Sequence, residues 1–434
     1  MNHSNSRTTV RPPVRAHKAA RELRLTPLML SLVCLGVTPA IAQTLPAGFS
    51  AVAGNVAVRP GSPTGTMNID QASERAIAQW LSFSIGAGGT VNVAQPSRSS
   101  VLLNRVVGND LSTIAGSLNA NGSVYLINPN GVLFSKGSSI SVGGLVASTL
   151  DISNQSFMAG GKQLVFERND GNTATVRNQG SISTNAPGGI VALMGAQAIN
   201  EGSINVARGS VGLVSARKVT VDFDGDGLTR FTIPADSKAT AALVENAAAG
   251  SVTADGGRIA MLAAAEAKAQ VVNQGGVLRA RSLESVNGQI VLGAGSGTGA
   301  DNLNGMRVGG TLDVSGGATG NGGTVQVSAG NLLVNGATID ASGLSGGQVT
   351  TSAHRMVVDA GTNVGASGSG QAGTTDGRWT IASGQDITVS NNPPYDPNAT
   401  GPTAPMDGGS TINAGVLSRT LNRSTSLTLE SAAT

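Results

Sequence analysis

The chain holds 434 residues, 61 of them Gly, with 12% charged residues and few aromatics (seven Phe, two Trp, two Tyr). So few large side chains cannot fill a wide, rounded core. The Gly lacks the three-residue period and proline content of collagen, and 40% apolar residues at a formal charge of +3 exclude the usual signature of disorder. What remains is a thin, elongated β structure that turns often on Gly and other small residues.

Residues 1–42 carry six basic groups (Arg7, Arg11, Arg15, Lys18, Arg21, Arg24) and one acid, Glu22. Of the 28 basic and 25 acidic residues, 22 and 24 remain beyond them, a formal charge of −2. The positive charge therefore belongs to this leader, and the body offers no basic footprint for nucleic acid. After Arg24 an apolar run extends from Leu25 to Ala40, closed by Ala40-Ile41-Ala42, a small-x-small cleavage sequence. The run contains two prolines and is short of the ~20 apolar residues that a membrane span needs. A secretion signal cut between Ala42 and Gln43 is predicted, with an uncleaved signal anchor as the alternative. Cys34 is the only cysteine and lies inside this segment, so the mature chain uses no disulfides.

Beyond Gln43 the spacing of Ile77, Trp80 and Leu81 at i, i+3, i+4 predicts a short helix over Ser73–Leu81. Elsewhere short runs of Val, Ile, Leu and Thr alternate with polar residues and break at Gly, Asn, Ser and Asp, which predicts strands. The runs repeat. Val176-Arg-Asn-Gln-Gly-Ser-Ile182 returns as Ala198-Ile-Asn-Glu-Gly-Ser-Ile204 and as Val271-Val-Asn-Gln-Gly-Gly-Val277. A second set follows at Leu312-Asp-Val-Ser-Gly316, Ile339-Asp-Ala-Ser-Gly343 and Val364-Gly-Ala-Ser-Gly368, with partner strands from Gly323, Gly347 and Gly377. A period in the twenties built of short strands fits one coil of a parallel β-helix, with a β-sandwich as the weaker alternative. Asn178 and Asn200 are expected to stack as a ladder between coils.

Between these repeats, Asp222-Phe-Asp-Gly-Asp-Gly227 opens like a calcium loop, but its twelfth position is Ile233 instead of Glu, and strands flank it, so a polar hairpin turn is expected. Histidine is limited to His3, His17 and His354, which excludes a multi-His zinc site, and nothing marks His354, Tyr125 or Tyr395 as a haem ligand. Asp313 and Asp340 fall at equivalent repeat positions, the one carboxylate column that a glycoside-cleaving site could use, and Gly365 interrupts it. Turn formation is the better account of both. Residues 391–409, with Pro393, Pro394, Pro397, Pro402 and Pro405, read as a projecting loop. The chain then closes on a coil-like strand at Leu427–Leu429 with no obvious capping segment, which would leave strand edges open.

Residues 43–150 carry a separate set of motifs. They include Trp80-Leu-Ser-Phe-Ser-Ile-Gly86, Thr90-Val-Asn-Val93, Gln95-Pro-Ser97, Leu103-Asn-Arg-Val106, Val124-Tyr-Leu-Ile-Asn-Pro-Asn-Gly-Val132 and Val142-Gly-Gly-Leu-Val-Ala-Ser148. In content and order this closely resembles the N-terminal two-partner secretion domain of the filamentous haemagglutinin family, strongly over about 43–230. Asn128, Pro129, Asn130 and Gly131 match its most specific motif, and Asn104 and Arg105 match a second. The family's Asn-Pro-Asn-Leu tetrapeptide is not evident; Asn109-Asp-Leu111 lies near where it would stand.

The resemblance implies an all-β, right-handed parallel β-helix with an N-terminal capping region. It divides the chain into a signal (1–42), a secretion domain core with its cap (43–160), repeat coils (161–390), the Pro-rich loop (391–409) and a terminal coil (410–434). It further implies a non-enzymatic adhesin or haemagglutinin without cofactor, secreted to the surface of a Gram-negative bacterium. Its partners would be an outer-membrane β-barrel transporter with POTRA domains and a host-cell or surface glycan or protein receptor, not nucleic acid. A polysaccharide-active β-helix enzyme and a haem- or cargo-binding exoprotein are the alternatives.

Overall fold

The computed structural model describes residues 44–431 except 169–170, 172, 224–227, 267–269, 284–285, 296–300, 303 and 392–408. The signal with Ala42 and Gln43, most of the calcium-like turn and nearly all of the Pro-rich loop, with Tyr395, lie outside the described residues.

Short strands broken by bends bury their apolar face by lying over equivalent strands one coil away. The chain does this as a right-handed parallel β-helix of three faces. One coil runs Ser123–Ile127, Val132–Phe134 and Ser139–Val142 and returns at Gly144–Ser148. Gly144–Ser148 pairs in parallel with Ser123–Ile127, Leu145 opposite Val124. Val132–Phe134 lies between Ser112–Ile114 and Thr175–Asn178, and Ser139–Val142 between Ser117–Ala120 and Ser181–Thr184. Inward residues form continuous columns. On the first face Val124, Leu145, Val191, Val211, Ile259, Ile290, Val325, Val349 and Trp379 stack in register, each at most 1% exposed. Each such rung is worth about 1.5–3 kcal/mol of burial, which is how a chain with few aromatics obtains a core.

The expected helix over Ser73–Leu81 is instead the strand Arg75–Trp80. Ala76, Ala78 and Trp80 point into the solenoid, while Ile77 is buried on its outer side. A strand covered on both faces loses its period-2 signal, and the leftover apolar spacing imitated a helix. Above this strand the chain folds back. Ser50–Ala53 pairs antiparallel with Arg75–Trp80, and Val56–Val58 antiparallel with Thr66–Gln71. Phe49 lies 5.1 Å from the Trp80 ring, and Phe83 meets that ring edge-on at 5.3 Å. These aromatics close the open top of the solenoid.

The repeats pair in the expected register in all but one place. Asn178 and Asn200 are opposite each other, and the second set aligns Leu312, Ile339 and Val364. The copy at 271–277 is displaced by one: Gln274, not Asn273, continues the Asn column, and Leu278, not Val277, enters the core. Val277 is accordingly 39% exposed, since a one-residue slip exchanges the two faces of a strand. Sequence comparison also passed over Leu243–Asn246, the coil between them. The amide ladder therefore has four rungs: Asn178 Nδ2 donates to Asn200 Oδ1 (2.8 Å), Asn200 to Asn246 (2.8 Å) and Asn246 to Gln274 Oε1 (3.0 Å).

A second layer lies outside the first face. The helix Asn154–Ala159 leads into strand Gln163–Glu167, which pairs antiparallel with Lys218–Asp222, itself antiparallel to Arg230–Thr232. The last pair is the expected hairpin. Phe157, Leu164, Phe166, Val219, Val221 and Phe231 pack on the outward column Ile77, Leu103, Tyr125, Val146 and Ala192 as a separate core. Gly212 continues that column toward Ala260, and a Cβ there would lie 2.5 Å from Phe231 Cζ. Gly212→Val is expected to lower the unfolding free energy by about 1–3 kcal/mol, with the additional substitution Phe231→Ala relieving the clash, both read from urea midpoints.

At the C-terminal end a helix that the sequence did not reveal covers the third face, while the terminal strand Ser426–Ser431 pairs along one edge with Arg378–Ser383. After strand Ser410–Asn413 the chain forms a helix, Ala414–Leu421, before strand Ser426–Ser431. The helix buries Val416, Leu417 and Thr420 against the last strand of the third face, Asn363–Gly365. Thr420 Oγ1 donates to Val364 O (3.2 Å), Arg419 to Thr362 O (2.9 Å), and Ala366 N to Thr425 Oγ1 (2.8 Å), which satisfies that edge.

Candidate functional site

Between the first and second faces the chain must turn sharply, and Asn128-Pro-Asn-Gly131 does it. Pro129 presets φ, Gly131 N donates to Asn128 O (3.0 Å), and Asn130 N donates to Asn128 Oδ1 (2.9 Å). Gly131 has φ +112°, and a Cβ there would lie 2.9 Å from Thr175 O on the next coil. The corner is also tied to the preceding coil. Asn128 Nδ2 donates to Asp110 O and to Ser112 Oγ, both 2.9 Å, and Asn130 Nδ2 donates to Gly108 O at 2.9 Å. Asn109–Leu111, where the missing tetrapeptide would stand, thus lies directly against the Asn-Pro-Asn-Gly corner. Asn128 and Gly131 are buried, Pro129 is half-buried and Asn130 is exposed.

The other two motif residues point away from this corner. Asn104 is fully buried and accepts from Trp80 Nε1 at 3.0 Å, holding the cap. Arg105 donates to Asp151 Oδ1 (3.0 Å), Ile152 O (2.7 Å) and Asn154 Oδ1 (2.6 Å), fastening the start of the outer helix to the sheet. Sequence reasoning missed an exposed apolar strip beside the corner. Leu81, Val107 and Leu111 are 62%, 51% and 43% exposed, around the Gly108 that accepts from Asn130. Their signal was present, an apolar residue just after each of two successive first-face strands.

The remaining candidates have structural engagements. Asp313 Oδ1 accepts from Ser315 N (3.0 Å) and Oγ (2.7 Å), and its Oδ2 from Arg281 (2.7 Å). Asp340 Oδ1 accepts from Ser342 N (2.9 Å) and Oγ (2.6 Å), and Gly365 stands opposite it on the next coil. These are bend-forming carboxylates. Among the described residues no group of three His, Cys, Asp or Glu side chains is placed to hold a metal. His354 Nε2 lies 3.2 Å from Gln385 Nε2.

Tyr125, in the outer core against Phe157, has its phenol pushed up to about 12, chiefly by burial. The folded value lies above the unfolded value near 10, so the associated stability is whole below pH 10 and is lost as pH rises toward 12. Unfolding free energy is expected to fall by about 2 kcal/mol across that window in wild-type protein, with Tyr125→Phe flattening the slope in urea titrations.

A capped parallel solenoid, whose first coils are locked by a buried Asn-Pro-Asn-Gly corner, defines a class of exported bacterial surface proteins. A family model described as TPS secretion domain matches residues 42–305, and the chain belongs to that family, the secretion domain of two-partner exoproteins. It is thus a two-partner-secretion exoprotein of the surface or exterior of a Gram-negative bacterium. Over 233 residues the chain is 37% identical to a heme/hemopexin-binding protein of Haemophilus influenzae, a match covering 52% of this chain and 24% of that protein. The chain thus spans about a quarter of the length of that relative. The crystal structure of the HMW1 secretion domain from Haemophilus influenzae superposes with a TM-score of 0.67 at 27% identity, covering 85% of this chain and 94% of that one.

Proposed function

We propose that the protein acts as an adhesin of the haemagglutinin type, meeting the periplasmic POTRA domains of its transporter through its N-terminal coils and a glycan or protein receptor after export. The segment ahead of Gln43 directs passage across the inner membrane and is removed after Ala42. Outside the cell the aromatic cap and first coils form, and each later coil stacks on the edge already made. The observation that carries this reading is the Asn128 corner, which spans three coils: it turns one, bonds the one before and leaves no room for a side chain at Gly131 against the one after. An arrangement of that kind is required early in coil stacking, so losing it blocks both folding and delivery. The exposed Leu81, Val107 and Leu111 strip beside it offers the transporter an apolar surface.

The test is replacement of Asn128 and Asn130 together in cells carrying the transporter. Surface-delivered protein is expected to fall severalfold and refolding of the purified chain to slow. Wild-type delivery and folding of this variant would remove the corner from the mechanism. The described surroundings of His354 and Tyr125 give haem ligation no support.

A further inference from the structure

We propose that the cleft between the first face and the outer layer is a binding site for a carboxylate-bearing sugar, with the Arg75 guanidinium as its anion anchor. The cleft has a volume of about 590 Å³, in the range of sites for small organic ligands. Its floor is the leading column of the first face, where Arg75 lies opposite Val101 and Val101 opposite Ser123. The turn at Gly160 and Gly161 and the side chain of Leu164 form one wall.

Arg75 is the unusual member. Its Nε donates to Phe157 O at 2.6 Å, and its guanidinium carbon sits 4.7 Å over the Phe157 ring. Gly160 leaves it space, since a Cβ there would lie 3.3 Å from that carbon. One edge of the fork is thus fixed by the end of the outer helix. Among the described residues its η nitrogens have no acceptor and no carboxylate faces it. Burial lowers its pKa, partly offset by the Tyr125 phenol. Arg98 also lines the cleft and forms no ion pair among the described residues, and no Asp or Glu is found among the described lining residues. A pre-oriented guanidinium fork with vacant donors fits a planar carboxylate in two-point contact. Ser99, Ser123 and Thr229 line the same cleft beside Val101 and Leu164, a mixture of residue types suited to the alternating polar and apolar faces of a pyranose.

The experiment is calorimetric titration of the intact secreted protein with glucuronate, glucose 6-sulfate, glucose and inorganic sulfate. Glucuronate is expected to bind in the millimolar range or tighter, and glucose about tenfold more weakly or not at all. Arg75→Gln is expected to weaken glucuronate about tenfold, and Arg98→Gln, at an exposed side chain that holds nothing in the fold, severalfold with an unchanged urea midpoint. Glucose 6-sulfate matching glucuronate would keep the acidic-sugar site and overturn its carboxylate preference. Inorganic sulfate matching glucuronate would overturn the sugar site in favour of a general anion contact. No glucuronate binding at 10 mM, equal binding of glucose, or full affinity in both arginine variants would overturn the proposal. Export is read separately, so a protein that is delivered normally yet binds no uronate loses this inference alone.

Discussion

Asn128→Ala is expected to lower the unfolding free energy by about 3 kcal/mol and to cut exported protein severalfold. Two donated bonds are lost, to Asp110 O and Ser112 Oγ, together with the acceptor that holds Asn130 N. Each net bond is worth about 1 kcal/mol, and a buried group left without its partner costs about 1–3 kcal/mol more. Here those groups belong to two successive coils, so the loss loosens their stacking as well as the turn. The urea midpoint of the purified chain and the amount of protein outside the cell are the two readouts. Asn130→Ala separates the causes. Its side chain is exposed and costs only about 1 kcal/mol when removed. If export fell as far for Asn130→Ala as for Asn128→Ala, with stability intact, the corner would be recognised directly by the transporter instead of acting through folding.

Trp80→Ala is expected to cost about 4 kcal/mol and to unfold the cap. Trp80 is fully buried, contacts Phe49 and Phe83, and its indole nitrogen satisfies Asn104 Oδ1. The substitution leaves a cavity and an unpartnered buried amide together. Trp80→Phe keeps most of the volume and is expected to cost about 1–2 kcal/mol, chiefly for the lost bond. A Trp80→Ala protein with a wild-type urea midpoint would show that the aromatic cluster does not close the solenoid.

Stacking was legible where a coil keeps its length and faces solvent on one side. Leu312, Ile339 and Val364 fell in register because Gly and Ser bends repeat between them at nearly constant spacing. Reading failed where a second layer or an insertion intervened. Arg75–Trp80 imitated a helix because Ile77 is buried opposite Trp80. The copy at 271–277 slipped because Asn273 imitates the ladder residue one position before Gln274 takes that place. The helices Asn154–Ala159 and Ala414–Leu421 are short and lie between strands, with too few turns to establish a period. At the candidate site the turn chemistry of Asn128–Gly131 was readable locally, but not the bonds to residues 108–112, which depend on which coil lies next to which.

The outer layer divides the solenoid into unequal parts. In Gly144–Ser148, Ile190–Gly195 and Ser210–Ser215 every residue is buried, as in the middle layer of a sandwich. By Gln289–Ala294 and Arg378–Ser383 the pattern alternates, with one side of each strand less covered. Fraying therefore begins in the later coils, where adding or losing one costs little beyond a single interface, while the clad strands open only with the whole N-terminal half. Deuterium uptake is expected to show this as a step near residue 263 instead of a smooth gradient, giving the molecule a rigid head and a yielding tail.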